Sequence, residues 1–342
     1  MGSESHLSDL GQSASLMTGT VWDPMNSLLT KVNGTSSAAV APPTHIISVD
    51  VEDYFMVEAF ASTVSHGSWE SRPSRILANT LCVLDLFDEY NVKGTFFFVG
   101  WVAHKFPDLV REVHARGHEI ACHSYWHRTV YSLTPGQFRE DTRMAVQAIE
   151  DAAGIRVQGY RAPSWSITKN SIWALDILAE EGFTYDSSIF PIHHDLYGIP
   201  GAQRFPYVHH CSNGRALREF PPTTVRMWGQ NLPGAGGGYL RICPLSYTEW
   251  IFRKFEDSYG QRVVVYFHPW ELDPAQPRMR ESLKSRLRHY TNLGKMRSRL
   301  EHILGRYSFE SFSAALTHAP SEHGESEFAP VLTMSPEPTR TT

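Results

Sequence analysis

Two histidines, His123 and His127, stand four residues apart in the run Ala121-Cys122-His123-Ser124-Tyr125-Trp126-His127-Arg128. On a helix that interval puts two imidazoles on one face, close enough to share a cation. With seventeen histidines in 342 residues such a pair arises easily by chance, so it gains meaning only from its surroundings. Three other segments supply them. Asp50-Val51-Glu52-Asp53 ends an apolar run, Arg161-Ala162-Pro163-Ser164-Trp165 follows the histidines, and Val263-Val264-Val265-Tyr266-Phe267-His268-Pro269-Trp270 lies near the C-terminal end. Three acids in four positions repel one another unless a cation sits nearby. A divalent metal held by the two histidines and one carboxylate supplies that cation and draws the pKa of its bound water from about 15.7 towards about 7. The chemistry within reach of this set is metal-assisted hydrolysis. Each member also has a blander reading: Asp50 as a turn residue, Arg161 as a surface cation, His268 as a satisfied structural histidine.

The elements that must position these residues alternate in type. Residues 45–50 read as a strand and 74–90 as an amphipathic helix. Residues 94–100 read as a strand buried on both faces, because no alternation is present. A helix starts near Pro107 and stops at Gly117, with Pro inside its start and Gly past its end. Another takes Thr134 as N-cap and Pro135 as first residue, and Gly154 ends it. Residues 169–181 form a further helix closed by Gly182, and 262–268 the last clear strand. Strand–helix repetition predicts a parallel α/β architecture, either a barrel or an open doubly wound sheet. Asp50, His123 and His268 each follow a strand-like run, and the C-terminal ends of parallel strands are where such folds gather functional groups. Residues 1–43, rich in Ser, Gly, Thr and Ala, read as a flexible extension, and 320–342 as a flexible tail.

Composition narrows the function classes. A hydrophobic share of 42% with 20% charged residues describes a globular protein. A net charge of -5, with no Lys/Arg stripe, argues against a nucleic-acid partner. Cys82, Cys122, Cys211 and Cys243 form no C-x-x-C pair, which suits a reducing compartment. No apolar stretch reaches the roughly 20 residues of a transmembrane helix. Residues 1–20 lack the basic start and apolar core of a signal peptide, so a cytoplasmic location is expected. The glycine run at 234–238 lacks the Lys-Ser/Thr of a phosphate loop and reads as a flexible loop over the substrate or a tight turn.

The ordered segments resemble the polysaccharide deacetylases, the metal-dependent carbohydrate esterases that share the NodB homology domain. The likeness runs from about residue 45 to 315. It includes Ser48-Val49-Asp50-Val51-Glu52-Asp53-Tyr54-Phe55, Gly94-Thr95-Phe96-Phe97-Phe98-Val99-Gly100 and Gly159-Tyr160-Arg161-Ala162-Pro163-Ser164. Glu219-Phe220-Pro221-Pro222 and Gly236-Gly237-Gly238-Tyr239 are similar to the subgroup of exopolysaccharide and exosortase loci, which has an extra C-terminal region, here about 200–319 of a domain spanning 44–319. The resemblance implies a distorted (β/α) barrel, usually of seven strands. It implies Asp50 as general base, Arg161 orienting it, His268 as general acid, and Ser164 as a backbone oxyanion donor.

His123 and His127 would hold the metal with one carboxylate. The usual motif has two adjacent Asp residues, where this chain has Asp50-Val51-Glu52-Asp53. Asp53 is the expected ligand because its shorter side chain matches the family's ligand type. Glu52 is the alternative, since in a regular strand it shares a face with Asp50. Zn²⁺ suits the set, with Co²⁺ or Ni²⁺ as substitutes. The carboxylate partner of His268 is left between Asp186 and Glu271. Trp165, Trp228, Tyr239 and Trp270 are candidates for sugar stacking. The implied activity is de-N-acetylation of N-acetylhexosamine units in a bacterial polysaccharide or its precursor. Hydrolysis of a small amide or cyclic imide, as in allantoinase-like relatives, and non-catalytic saccharide binding are the alternatives.

Overall fold

The computed structural model describes residues 43–280 and 282–317. The tail expected over 320–342, and all but the last residue of the extension expected over 1–43, lie outside the described residues. Eleven short strands run in chain order among them: β1 (His45–Val51), β2 (Thr95–Phe98), β3 (Glu119–Cys122), β4 (Gly159–Tyr160), β5 (Tyr185–Asp186), β6 (Tyr207–His210), β7 (Ala216–Glu219), β8 (Thr224–Met227), β9 (Gln230–Pro233), β10 (Val264–Phe267) and β11 (Phe309–Glu310). Between them come α1 (Ile76–Glu89), α2 (Gly100–Lys105), α3 (Pro107–Ala115), α4 (Pro135–Ala153), α5 (Trp173–Glu180), α6 (Gly237–Ile242) and α7 (Leu245–Arg253). After β10 follow α8 (Leu283–Tyr290), α9 (Leu293–Leu304) and α10 (Phe312–Thr317).

Local chemistry sets several boundaries. At α4, Thr134 and Gln137 form the reciprocal capping box, Pro135 opens the helix, and Gly154 closes it in the left-handed conformation. The helix expected over 169–181 is instead a 3₁₀ turn followed by the shorter α5. The turn arises because Thr168 and Ser171 cap each other.

The seven strands in the order β10-β1-β2-β3-β4-β5-β7 are mutually parallel, and antiparallel β6 extends the β7 edge. This agrees with the expected seven-stranded (β/α) barrel. The distortion lies at the seam. No strand ladder joins β7 to β10. Instead the Thr223 hydroxyl accepts from Val264 N–H at 2.7 Å and donates to its carbonyl at 3.0 Å, and Gly236 makes a single parallel bridge to Tyr266. A Cβ on Gly236 would stand 2.1 Å from the Tyr266 ring, so the glycine run is a close-packed seam rather than a flexible loop.

Alternation along β1 divides two cores. Ile47, Val49 and Val51 face the helical layer. Ile46 faces inward, where it meets Phe97, Ala121, Tyr185, Phe220 and Val264. Phe312 and Ala315 of α10 join that inner cluster. The α10 start is fixed because Phe312 N–H donates to Thr95 and Ser313 N–H to Glu119. With apolar packing beneath, the inward residues that follow along β1 are Ser48, Asp50 and then Glu52.

Candidate active site

Asp50 is the penultimate residue of β1, and His123, Arg161 and His268 directly follow β3, β4 and β10. Parallel pairing therefore brings all four to the same rim. Arg161 is wholly buried and spans the interior. It donates to Asp50 Oδ1 at 2.6 Å, to Ser48 Oγ at 2.9 Å and to Ser187 Oγ at 3.1 Å, and lies over the Phe97 ring. One Asp50 oxygen is thus pinned. The other, Oδ2, faces His268 Nε2 at 3.9 Å.

The expectation that Asp53 joins the histidines is corrected. Asp53 points out of the barrel, where it accepts from Ser74 Oγ at 2.6 Å, Arg75 N–H at 3.0 Å and Tyr54 N–H at 2.9 Å, and so secures the chain entering α1. Glu52 keeps the inward period-two position, although a tight Glu52 N–H to Asp50 carbonyl bond ends the strand there. Its Oε2 lies 2.6 Å from His127 Nε2, its Oε1 lies 3.5 Å from His268 Nε2, and Trp270 Nε1–H donates to Oε1 at 3.2 Å. Glu52, His123 and His127 bring ligand atoms within 4.8 Å of one another, all buried.

The two histidines are not on a helix. They sit in a loop with Ser124 and His127 at positive φ. The loop is wound about buried Asp141 of α4, which accepts from Tyr125 N–H, Trp126 N–H and Arg128. The rings still converge, with centroids 5.0 Å apart. His123 Nδ1–H donates to the Arg161 carbonyl at 2.7 Å, which leaves the Nε2 lone pair free, and burial lowers its pKa to about 4. That is the neutral tautomer a metal ligand needs. Burial opposes charge on Glu52, but His127 and His268 hold its carboxyl well below the usual range. Two buried imidazoles and one carboxylate, with His123 held by the Arg161 carbonyl and Glu52 by the Trp270 indole, fit a divalent ion.

The partner of His268 is Glu271. Its Oε1 accepts from His268 Nδ1–H at 2.8 Å, and its Oε2 is paired to buried Arg241. Burial would lower the His268 pKa, but Glu52, Glu271 and Asp50 raise it to about 9. These acids favour the protonated ring, whose Nε2 faces Asp50. Asp186, the other candidate, lies elsewhere: it sits opposite Glu219 on β5 and β7 and accepts from Ser188.

These groups open into a cavity of about 460 Å³. Ser164, Trp165, Tyr239 and Trp270 all line it. Ser164 and Trp165 both have positive φ, an uncommon strain at consecutive residues. Trp165 packs edge-on against Tyr266 and under Arg161, and Trp270 stacks on His268 and His289, so both rings are walls as much as contact surfaces. Trp228 is not in the cavity. It caps the β8–β9 hairpin, 88% exposed. Sequence reasoning passed over Arg241, Asp141 and the cavity residues Glu58, Lys284 and Arg288. Arg241, three residues beyond the glycine run, could have been weighed as a partner for Glu271.

Residues 69–185 match the model of the polysaccharide deacetylase family, and residues 187–317 match a domain of unknown function, DUF3473. The similarity to the polysaccharide deacetylases lies in residues 69–185. The second matched region supplies β7, β10 and β11 of the same sheet. Relatives include a bifunctional xylanase/deacetylase of Pseudobutyrivibrio xylanivorans, 33% identical over 29% of this chain and 17% of that protein. Another is a peptidoglycan deacetylase of Helicobacter pylori, 29% identical over 33% of this chain and 37% of that one. The chain thus matches well under half the length of these relatives. A crystal structure from Mycobacterium smegmatis, assigned to the polysaccharide deacetylases, covers 82% of this chain and 94% of its own at 21% identity and a TM-score of 0.54, which shows the shared fold. All four cysteines are free thiols, and among the described residues no helix is long and apolar enough to cross a membrane.

Proposed function

We propose that this protein is a metal-dependent hydrolase that removes N-acetyl groups from N-acetylhexosamine units of a bacterial polysaccharide or its precursor. The observation that carries the reading is the meeting, at one rim, of an arginine-held carboxylate, a histidine paired to Glu271 and a His–His–carboxylate donor set. Glu52, His123 and His127 would hold the ion, zinc by donor type with cobalt or nickel able to replace it, and the ion would polarise the attacking water and the acyl oxygen.

The remaining work falls to the chain. Asp50 is fixed through Oδ1 by Arg161, so Oδ2 is the oxygen that takes a proton from the attacking water. Oxygen bonds to the acyl carbon, and the C–N bond breaks as His268 Nε2–H delivers its proton to the departing nitrogen. Acetate and a free amine result. Glu271 keeps the His268 ring oriented, with the proton on the side facing the substrate. The Ser164 N–H, in its strained turn, is the donor offered to the oxyanion. Tyr239, Trp165 and Trp270 would line the sugar.

The test is acetate release, with matching amine appearance, from an N-acetylglucosamine tetramer. Wild type should produce both. Asp50→Asn should lose about 10²–10⁴-fold in turnover. Release of neither product across N-acetylated saccharides would overturn the reading, and turnover of a cyclic imide instead would move the protein to another amide class.

A further inference from the structure

The rim around the cavity has a surface that hydrolysis of a soluble sugar does not use. α8 turns His289 inward and leaves Leu283 71% and Leu287 58% exposed, one turn apart on the same side. Lys284 and Arg288, the residue after each leucine, line the cavity beside this pair. Leu196 and Ile242, also at the cavity, are 55% and 46% exposed. Over residues 278–288 the chain carries Arg278, Arg280, Lys284, Arg286 and Arg288 against the single acid Glu281. Scattered exposed leucines are ordinary. Three leucines and an isoleucine gathered around one opening and flanked by cations are a basic amphipathic surface.

We propose that this face rests on an anionic bilayer. Leu283 and Leu287 would enter the boundary between headgroups and acyl chains, and Lys284 and Arg288 would meet lipid phosphates, so the active-site mouth is held against the membrane surface. A second copy of this chain is a poor occupant, because a symmetric contact about α8 sets cation against cation. A saccharide polymer would leave the leucine pair without an apolar partner. The inference stands apart from the deacetylase reading, since vesicle capture needs no turnover.

The experiment is co-sedimentation of the full chain with sucrose-loaded vesicles, either phosphatidylcholine alone or phosphatidylcholine with phosphatidylglycerol. Capture is expected only with the anionic vesicles and should weaken as salt is raised. Each Lys or Arg near such a surface is worth about fivefold, so Lys284→Gln with Arg288→Gln should lose about 25-fold. Leu283→Ser with Leu287→Ser should lose roughly tenfold or more while leaving turnover of a soluble tetrasaccharide unchanged, because neither residue lines the cavity. Four results would overturn the proposal: no capture, equal capture by both vesicle types, anionic capture untouched by either double variant, or retention on hyaluronan without vesicle capture. The last would make the surface a subsite for an acidic polymer.

Discussion

Replacing Arg161 by Met removes the one guanidinium that compensates Asp50 inside the barrel. Both side chains are almost fully buried and meet at 2.6 Å, and the nearest other basic group to Asp50 is His268 at 3.9 Å. Breaking a buried pair from one side costs about 3–5 kcal/mol, because the surviving charge stays desolvated. Ser48 and Ser187 also lose their partner, though each keeps a backbone carbonyl to which it donates. For a domain of this size about 3–5 kcal/mol corresponds to a melting shift of roughly 5–9 °C. Adding Asp50→Asn removes the stranded charge, so the double variant should be more stable than Arg161→Met alone, a non-additive result. Thermal and urea unfolding of wild type, both singles and the double would measure this. A double variant destabilised by the sum of the singles would refute the picture of Arg161 as the charge partner of Asp50.

Three further outcomes follow from the same structure. Glu271→Gln should lower kcat and move the alkaline fall in kcat/KM to lower pH, because His268 loses one of the acids that raise its pKa; an unmoved profile would deny the pairing. Burial and the facing Asp186 push the Glu219 carboxyl well up, so the folded state holds a proton that the unfolded state releases above about pH 4.3. Its stabilising contribution is therefore present at low pH and lost as pH rises towards the folded-state pKa; Glu219→Gln should flatten that slope and raise the melting temperature at pH 8, and an unchanged slope would contradict it. Asp53→Ala should cost about 1–3 kcal/mol through the loss of its bonds to Ser74, Arg75 and Tyr54, yet retain most activity; near-complete loss of activity in folded protein would contradict the placement.

The parallel architecture and the rim positions of Asp50, His123, Arg161 and His268 were legible because each follows a short apolar run whose direction the chain order sets. Within the acidic run, period-two alternation already favoured Glu52 facing inward. Matching the family's shorter ligand type pointed to Asp53, and alternation prevailed because the inner face continues past the last paired residue of β1. The helical reading of His123 and His127 failed for a non-local reason: Asp141, on a different element, holds the loop amides in place. Glu271 over Asp186 could not be decided from spacing, since the choice depends on Asp186 meeting Glu219 across neighbouring strands. The Thr223 seam was likewise invisible, because a hydroxyl standing in for a missing ladder depends on tertiary closure.

The placement of a metal at Glu52, His123 and His127 is tested most directly by metal bound per chain in wild type, Glu52→Ala and Asp53→Ala, each stripped and dialysed against zinc in parallel. Wild type and Asp53→Ala should each carry about one ion, and Glu52→Ala should carry far less at the same free zinc. An Asp53→Ala protein that has lost its metal, beside a Glu52→Ala protein that keeps it, would contradict the site as built.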